Sequence, residues 1–424
     1  MRFPTISSAS STFLLFLLMF VCASASIAQE ENPKHVHVQT VQSDVLKNVV
    51  SLVGTKDGKF VYSSSYEAGL LVCYSRNSET GELTQFQTVP EEDEAEDIDE
   101  DEGEGEGEGE GEGAADAGEG AANEDEGKIE LVCIDLSQDQ KLLVGCSIRQ
   151  KMLTLFKRDV ETGELALLSS ITNEQIERGL GYPVTVRFSP DARFVYVANA
   201  NGGGMLTVFK IVDEQFEFVH AHEGIRGKMN GCRMMCTDPT GLYLYMGCDR
   251  AHTIATFDRD EDEGHVRIRN FIEDDSEEAS QLAGASGLSC SPDGQFLYVA
   301  SGRFRGDNAV SAFAIAEDGL LNRVQELVNE SELKNFTGGN HVEVSPDGKF
   351  VYVSGATSKN LACFSRNADD GTLEFVEYLG INGNSGLGVT SEIYVSADNK
   401  FVYVAGEGRK SIYVFQRKNV EEDN

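Results

Sequence analysis

Apolar and polar residues alternate in short runs along most of the chain. The period is two, not 3.6. LLVCYSR from Leu70, MLTLFKR from Met152, MLTVFKI from Met205, TIATFDR from Thr253, AVSAFAI from Ala309, NLACFSR from Asn360 and SIYVFQR from Ser411 all follow it. Such a period places successive side chains on opposite faces of an extended strand. Each run is preceded by a second one that opens on a polar turn: DGKFVYSS from Asp57, DQKLLVGC from Asp139, DARFVYVA from Asp191, TGLYLYMG from Thr240, DGQFLYVA from Asp293, DGKFVYVS from Asp347 and DNKFVYVA from Asp398. Successive turns lie 49 to 54 residues apart, except for 82 residues between Asp57 and Asp139. Turns rich in Gly and Asp, such as NSETGEL, DVETGEL and NADDGTL, follow most of the third strands and lead into a fourth, such as LEFVEYL from Leu373.

Seven repeats of four antiparallel strands predict an all-β fold, a seven-bladed β-propeller with four-stranded blades. A helical solenoid would need a 3.6-residue period. The last repeat stops after SIYVFQRKN without a fourth strand, whereas HVHVQTV from His35 belongs to no repeat. The N-terminal strand is therefore expected to close the last blade and so remove an exposed sheet edge. Tyr62, Tyr196, Tyr245, Tyr298, Tyr352 and Tyr403 recur at one position of strand two, the mark of inter-blade core.

The net charge of −36 is largely local. Residues 91–127 hold 20 acidic residues and no Lys or Arg, which leaves −16 for the rest. This insertion lacks the apolar content to offset its ordering entropy and is expected to be disordered within a propeller spanning residues 30–424. The acidity excludes nucleic-acid binding, which needs a basic face. Residues 1–29, with Arg2, the run TFLLFLLMFVCA and the small residues ASASIA, read as a signal peptide, so a secreted or periplasmic protein is expected. No stretch is long enough for a membrane span. Beyond Cys22 the chain has eight cysteines without metal-ligand spacing, so no metal and no cofactor are expected. Cys133 and Cys146 flank the turn Asp139-Gln140 symmetrically, and either pair in a disulfide or remain two buried thiols. The sequons at Asn329 and Asn335 bear on the surface only if the source glycosylates exported proteins.

SPDGQFLYVASGRFRGDNAVSAFAI from Ser291 and SPDGKFVYVSGATSKNLACFSRNADDGTLEFVEYL from Ser345 resemble the lactonase-type seven-bladed propellers, the 6-phosphogluconolactonase-like and carboxymuconate-cyclizing group, and equally the YVTN-type repeats of secreted bacterial propellers. The resemblance covers roughly residues 35–418. It implies a His-bearing step at the start of an innermost strand, a place held here by His341. The sequence departs from the family's Asn-Glu pair at Ala198-Asn199-Ala200.

In a four-stranded blade the strand 2–3 and 4–1 loops share one face of the disc. The 2–3 loops carry Arg149, Lys151, Arg250, Arg303, Arg305, Lys359, Arg409 and Lys410 against Glu67, Asp249, Asp307 and Glu407. Eight positive groups against four reverse the balance of this acidic chain. Arg149, Arg250, Arg303, Arg305 and Arg409 are thus candidate ligand-binding residues for an anionic small molecule or a protein partner at that face. His341 and Glu392, at matching positions in repeats six and seven, are the candidate catalytic pair, with packing between blades as the alternative for His341. Two functional readings follow. One is a binding propeller. The other is a lactone hydrolase or muconate-cyclizing enzyme acting on an anionic lactone.

Overall fold

The computed structural model describes residues 34–90, 128–176, 179–200, 203–303, 306–329, 333–381 and 387–418. The expected signal segment, the acidic insertion and Arg305 lie outside them. The described strands form seven antiparallel four-stranded sheets, a seven-bladed propeller. Blades one to six occupy residues 49–89, 133–172, 183–223, 232–273, 287–328 and 339–379, and blade seven residues 389–417. A short 3-10 turn at Asn173–Gln175 is the only helical element among the described residues.

His35–Gln42 is the outermost strand of blade seven and pairs with Ser411–Arg417 from His35↔Arg417 to Gln42↔Ser411. Its side chains also reach both neighbouring blades. His35 bonds Glu377 at 2.7 Å and the Tyr352 hydroxyl at 2.9 Å, both in blade six. Gln39 exchanges two hydrogen bonds with the backbone of Leu83 in blade one. The strand therefore joins three blades, which is why the ring closes through it.

The core lies between blades. The six repeated tyrosines are fully buried, as their recurrence requires, and each hydroxyl has a partner. Tyr62, Tyr245, Tyr298 and Tyr403 donate to the carbonyls of Gly163, Gly319, Gly371 and Gly81, each in the next blade. These glycines tolerate no side chain. At Gly371, φ is +75° and a Cβ would stand 2.1 Å from the Phe296 ring.

An arginine at the end of strand three clamps the same tyrosine from the following blade. Arg76 donates to Tyr403 at 2.8 Å and to Asp398 at 2.8 Å. Arg259 repeats this with Tyr196 and Asp191, Arg366 with Tyr298 and Asp293, and Arg158 with Tyr62. At the sixth boundary Arg417 holds Asp347 at 3.0 Å while His35 takes Tyr352. Blades three and five carry Ile211 and Ile315 at the arginine position, so boundaries two–three and four–five lack the clamp.

Cys133 and Cys146 are register partners in blade two, yet they are not bonded to each other. The Cys133 thiol is engaged across the blade boundary, where Arg187 Nη1 stands 3.1 Å from its sulfur. The disulfide forms instead in blade four, between the register partners Cys232 and Cys248.

Candidate functional site

The innermost strands are Val49–Gly54, Cys133–Leu136, Pro183–Phe188, Cys232–Thr237, Gly287–Cys290, Gly339–Val344 and Val389–Val395. Their registers against strand two define two matching positions. One carries Val53, Asp135, Arg187, Cys236, Ser289, Glu343 and Tyr394; two residues earlier come Ser51, Cys133, Thr185, Met234, Gly287, His341 and Glu392. Strands buried on both sides read as near-continuous apolar runs. Charged residues at these positions are thus held there at a desolvation cost and point to a site.

A cavity of about 260 Å³ opens where strand 2–3 and 4–1 loops meet, the face on which basic residues gather in the sequence. Its lining includes Arg233, Arg303, Asn340, His341, Glu392 and Glu407. Both candidate catalytic residues and Arg303 therefore converge. Arg149, Arg250 and Arg409 lie exposed outside the lining; Arg149 pairs with Glu130 at 2.7 Å. A wider groove of about 930 Å³ on the opposite face is lined by residues such as Phe86, Lys157 and Glu214 and contains no histidine.

Beneath the mouth, Arg187 of blade three reaches across to Glu392 of blade seven, with Nη2 3.7 Å from Oε1. The other Glu392 oxygen accepts the Leu52 amide of blade one at 2.9 Å. Asp135 accepts the Phe188 amide at 2.7 Å. This strut meets the cavity at Glu392, which lines it. Burial opposes the charge on Arg187, but Cys133, Asp135 and Glu392 raise its pKa above the ordinary range. Burial likewise raises Glu392, against Arg187 and its hydrogen bonds. Glu343 is pushed up to about 8 by burial and by the neighbouring Glu392, with Arg187 opposing. It holds its proton at neutral pH.

His341 Nε2 stands 3.7 Å from Glu392 Oε1, too long for a hydrogen bond, and Nδ1 has no hydrogen-bond partner among the described residues. Burial, with Arg187 adding repulsion, pushes its pKa down to about 3. The imidazole is neutral at physiological pH. A neutral ring offers a lone pair to a proton, although burial and Arg187 both oppose the imidazolium so formed. At the rim Arg233 pairs with the buried Asp249 at 2.8 Å, and Arg303 donates to Asn340. Burial and Arg233 lower Arg303 to about 10, against Asp249 and Glu407. The protein thus offers a neutral base, two guanidinium groups and a carboxamide around one small cavity.

Arg187, Arg233, Asp135 and Glu343 escape a reading of the sequence that follows only loops and turns. Counting back two residues from the one that opens each strand 1–2 turn places Asp135, Arg187 and Glu343 at one matching position.

The lactonase seven-bladed β-propeller family model matches residues 186–383. Among solved structures, a provisionally named 6-phosphogluconolactonase from Bacteroides uniformis is 18% identical, with TM-score 0.58, over 78% of this chain and 85% of the other. The periplasmic gluconolactonase of Pseudomonas aeruginosa is 17% identical, with TM-score 0.58 and the same coverage. The Cps50 (Swd1) β-propeller domain of Myceliophteria thermophila is 13% identical, with TM-score 0.61, over 91% of this chain and 100% of the other. Likeness at such identity carries the fold, and it extends to propellers of quite different naming. The seven sheets and the family match agree on the fold: residues 186–383 are similar to the lactonase seven-bladed β-propellers.

Proposed function

We propose that the mouth cavity binds a hydroxyl-rich lactone and opens it by hydrolysis. The observation that carries this is His341, neutral and without a partner for Nδ1, lining the same 260 Å³ cavity as Arg303 and Arg233. In the proposed step His341 takes a proton from water as the oxygen adds to the lactone carbonyl. Arg303 or Arg233 faces the oxyanion. The ring C–O bond then breaks, and the imidazolium returns the proton to the departing alkoxide. The products are a hydroxy acid and, at neutral pH, one released proton.

The charge balance supports an uncharged substrate. Arg233 and Arg303 are offset in the same region by Asp249, Glu392 and Glu407, so the cavity has no surplus positive charge for a phosphate. The same reading takes residues 1–29 as an export signal, which the Cys232–Cys248 disulfide supports because such bonds persist in oxidising compartments.

The test is hydrolysis of an aldonic-acid lactone and its phosphorylated counterpart by residues 30–424, beside His341→Ala and Arg303→Ala. Turnover should exceed the buffer rate, fall roughly 100-fold in His341→Ala and favour the uncharged lactone. Turnover unaffected by either substitution would refute the site. Saturable binding without turnover would leave a binding propeller.

A further inference from the structure

Cys236 and Cys290 lie on the innermost strands of blades four and five, with their sulfurs 3.4 Å apart. Both are unbonded and partly exposed, unlike Cys73, Cys133, Cys146 and Cys363, which are buried. They sit at the strand ends next to the 1–2 turns, the end of the channel away from the mouth cavity. Around them Met234, Tyr243 and Ile315 pack against the cluster that joins the two blades.

Their place in the ring is distinctive. Boundary four–five is one of the two without the arginine clamp: Ile315 stands where the arginine would be, and Tyr245 is left with the Gly319 carbonyl at 3.0 Å. The chain already holds one disulfide in blade four. A sulfur pair just beyond bonding distance, on neighbouring blades whose usual tie is missing, is placed for covalent replacement of that tie.

We propose that Cys236 and Cys290 are a modification site that forms an inter-blade disulfide stapling blade four to blade five. The electron acceptor is a small-molecule disulfide. The Cys236 thiolate attacks it, forming a mixed disulfide and releasing one small thiolate. Cys290, as thiolate, attacks the Cys236 sulfur and releases the second. Two protein thiols are oxidised to one disulfide, the small disulfide is reduced to two thiols, and the two protons pass to these products. The closed loop spans 54 residues, long enough to restrict the unfolded chain substantially. Cys290 has its thiol pKa raised by Cys236 and by burial; since the thiolate is the reactive form, exchange is slow.

The experiment is peptide mapping of residues 30–424 purified from an oxidising compartment, alkylated before reduction, with and without overnight incubation in oxidised glutathione. Cleavage after Arg233 and before Asp238 separates Cys236 from both Cys232 and Cys248. The expected result is a linked species joining residues 234–237 to residues 275–292, two hydrogens lighter than its parts. In addition, reductant should lower the thermal midpoint of a Cys232→Ser/Cys248→Ser variant by a few degrees, and should not do so once Cys290→Ser is added. Finding Cys236 and Cys290 alkylated in both samples, while Cys232–Cys248 is linked, would overturn the proposal. So would a midpoint insensitive to reductant in the Cys232→Ser/Cys248→Ser variant.

Discussion

His341 is held in the one protonation state in which it can act as a base, and the neighbouring groups say why. Its folded pKa of about 3 lies below its ordinary 6.5. Between those values the unfolded chain binds a proton that the native protein does not, so stability falls as pH drops through that window. Replacement by Gln should flatten this acid limb in thermal scans from pH 6.5 to 3. Glu343 works in the opposite sense. Its carboxyl is raised to about 8 from 4.5, so the native state holds the extra proton and stability declines as pH rises from 4.5 to 8. Glu343→Gln should lessen that decline, measured as the change in melting midpoint across the window; an unchanged slope would contradict the assignment. Gly287 is the third informative position. A Cβ there would lie 2.8 Å from the His341 Cα and 2.7 Å from the Asn340 carbonyl, so blade six must shift to admit it. Gly287→Ala should lower kcat/KM for the lactone by roughly tenfold or more with the fold retained by circular dichroism.

The recurrent element is the blade, and a recurrent inter-blade tie is the strand-three arginine. The Arg366 side chain is 1% exposed and pairs with Asp293 at 2.6 Å while donating to Tyr298. Arg366→Met would leave the carboxylate of Asp293 without its partner at the edge of the core. A loss of about 3 kcal/mol in chemical denaturation is expected; less than about 0.5 kcal/mol would show that the clamp is dispensable. Much of this element was legible in the sequence. Strand order, the buried tyrosines, the closing role of His35–Gln42 and the face that carries the mouth all follow from period-two runs and their spacing. The clamp was not, because an arginine ending five of the seven strand-three runs reads as a surface charge until the preceding blade is placed beside it. Nor were the buried charges around Glu392. Arg187, Asp135 and Glu343 alternate with apolar neighbours as any half-exposed strand residue would, and only ring closure turns that open edge into an interior. The symmetric placement of Cys133 and Cys146 correctly predicted facing positions, but register alone cannot say which thiols bond.

At the scale of the molecule, closure is the main constraint, because each blade buries its faces only against its neighbours. The N-terminal strand bonds to blades six and one as well as its own, so deleting residues 30–42 removes His35 and Gln39 and exposes the edge of Ser411–Arg417. Such a truncation should lower the melting midpoint by at least roughly 5 °C and promote edge-to-edge association, seen by size-exclusion chromatography. Closure also creates the site. No blade owns it: His341 comes from blade six, Glu392 from seven, Thr185 from three, Arg233 from four and Arg303 from five. The measurement that tests this account most directly is a crystal structure of the protein soaked with the lactam analogue of an aldonic-acid lactone, which cannot be hydrolysed. The account predicts the lactam in the mouth cavity, its carbonyl oxygen within hydrogen-bond reach of Arg303 or Arg233 and its carbonyl carbon facing His341. A lactam bound in the groove beside Phe86 and Lys157, or a mouth left empty at saturating lactam, would contradict it.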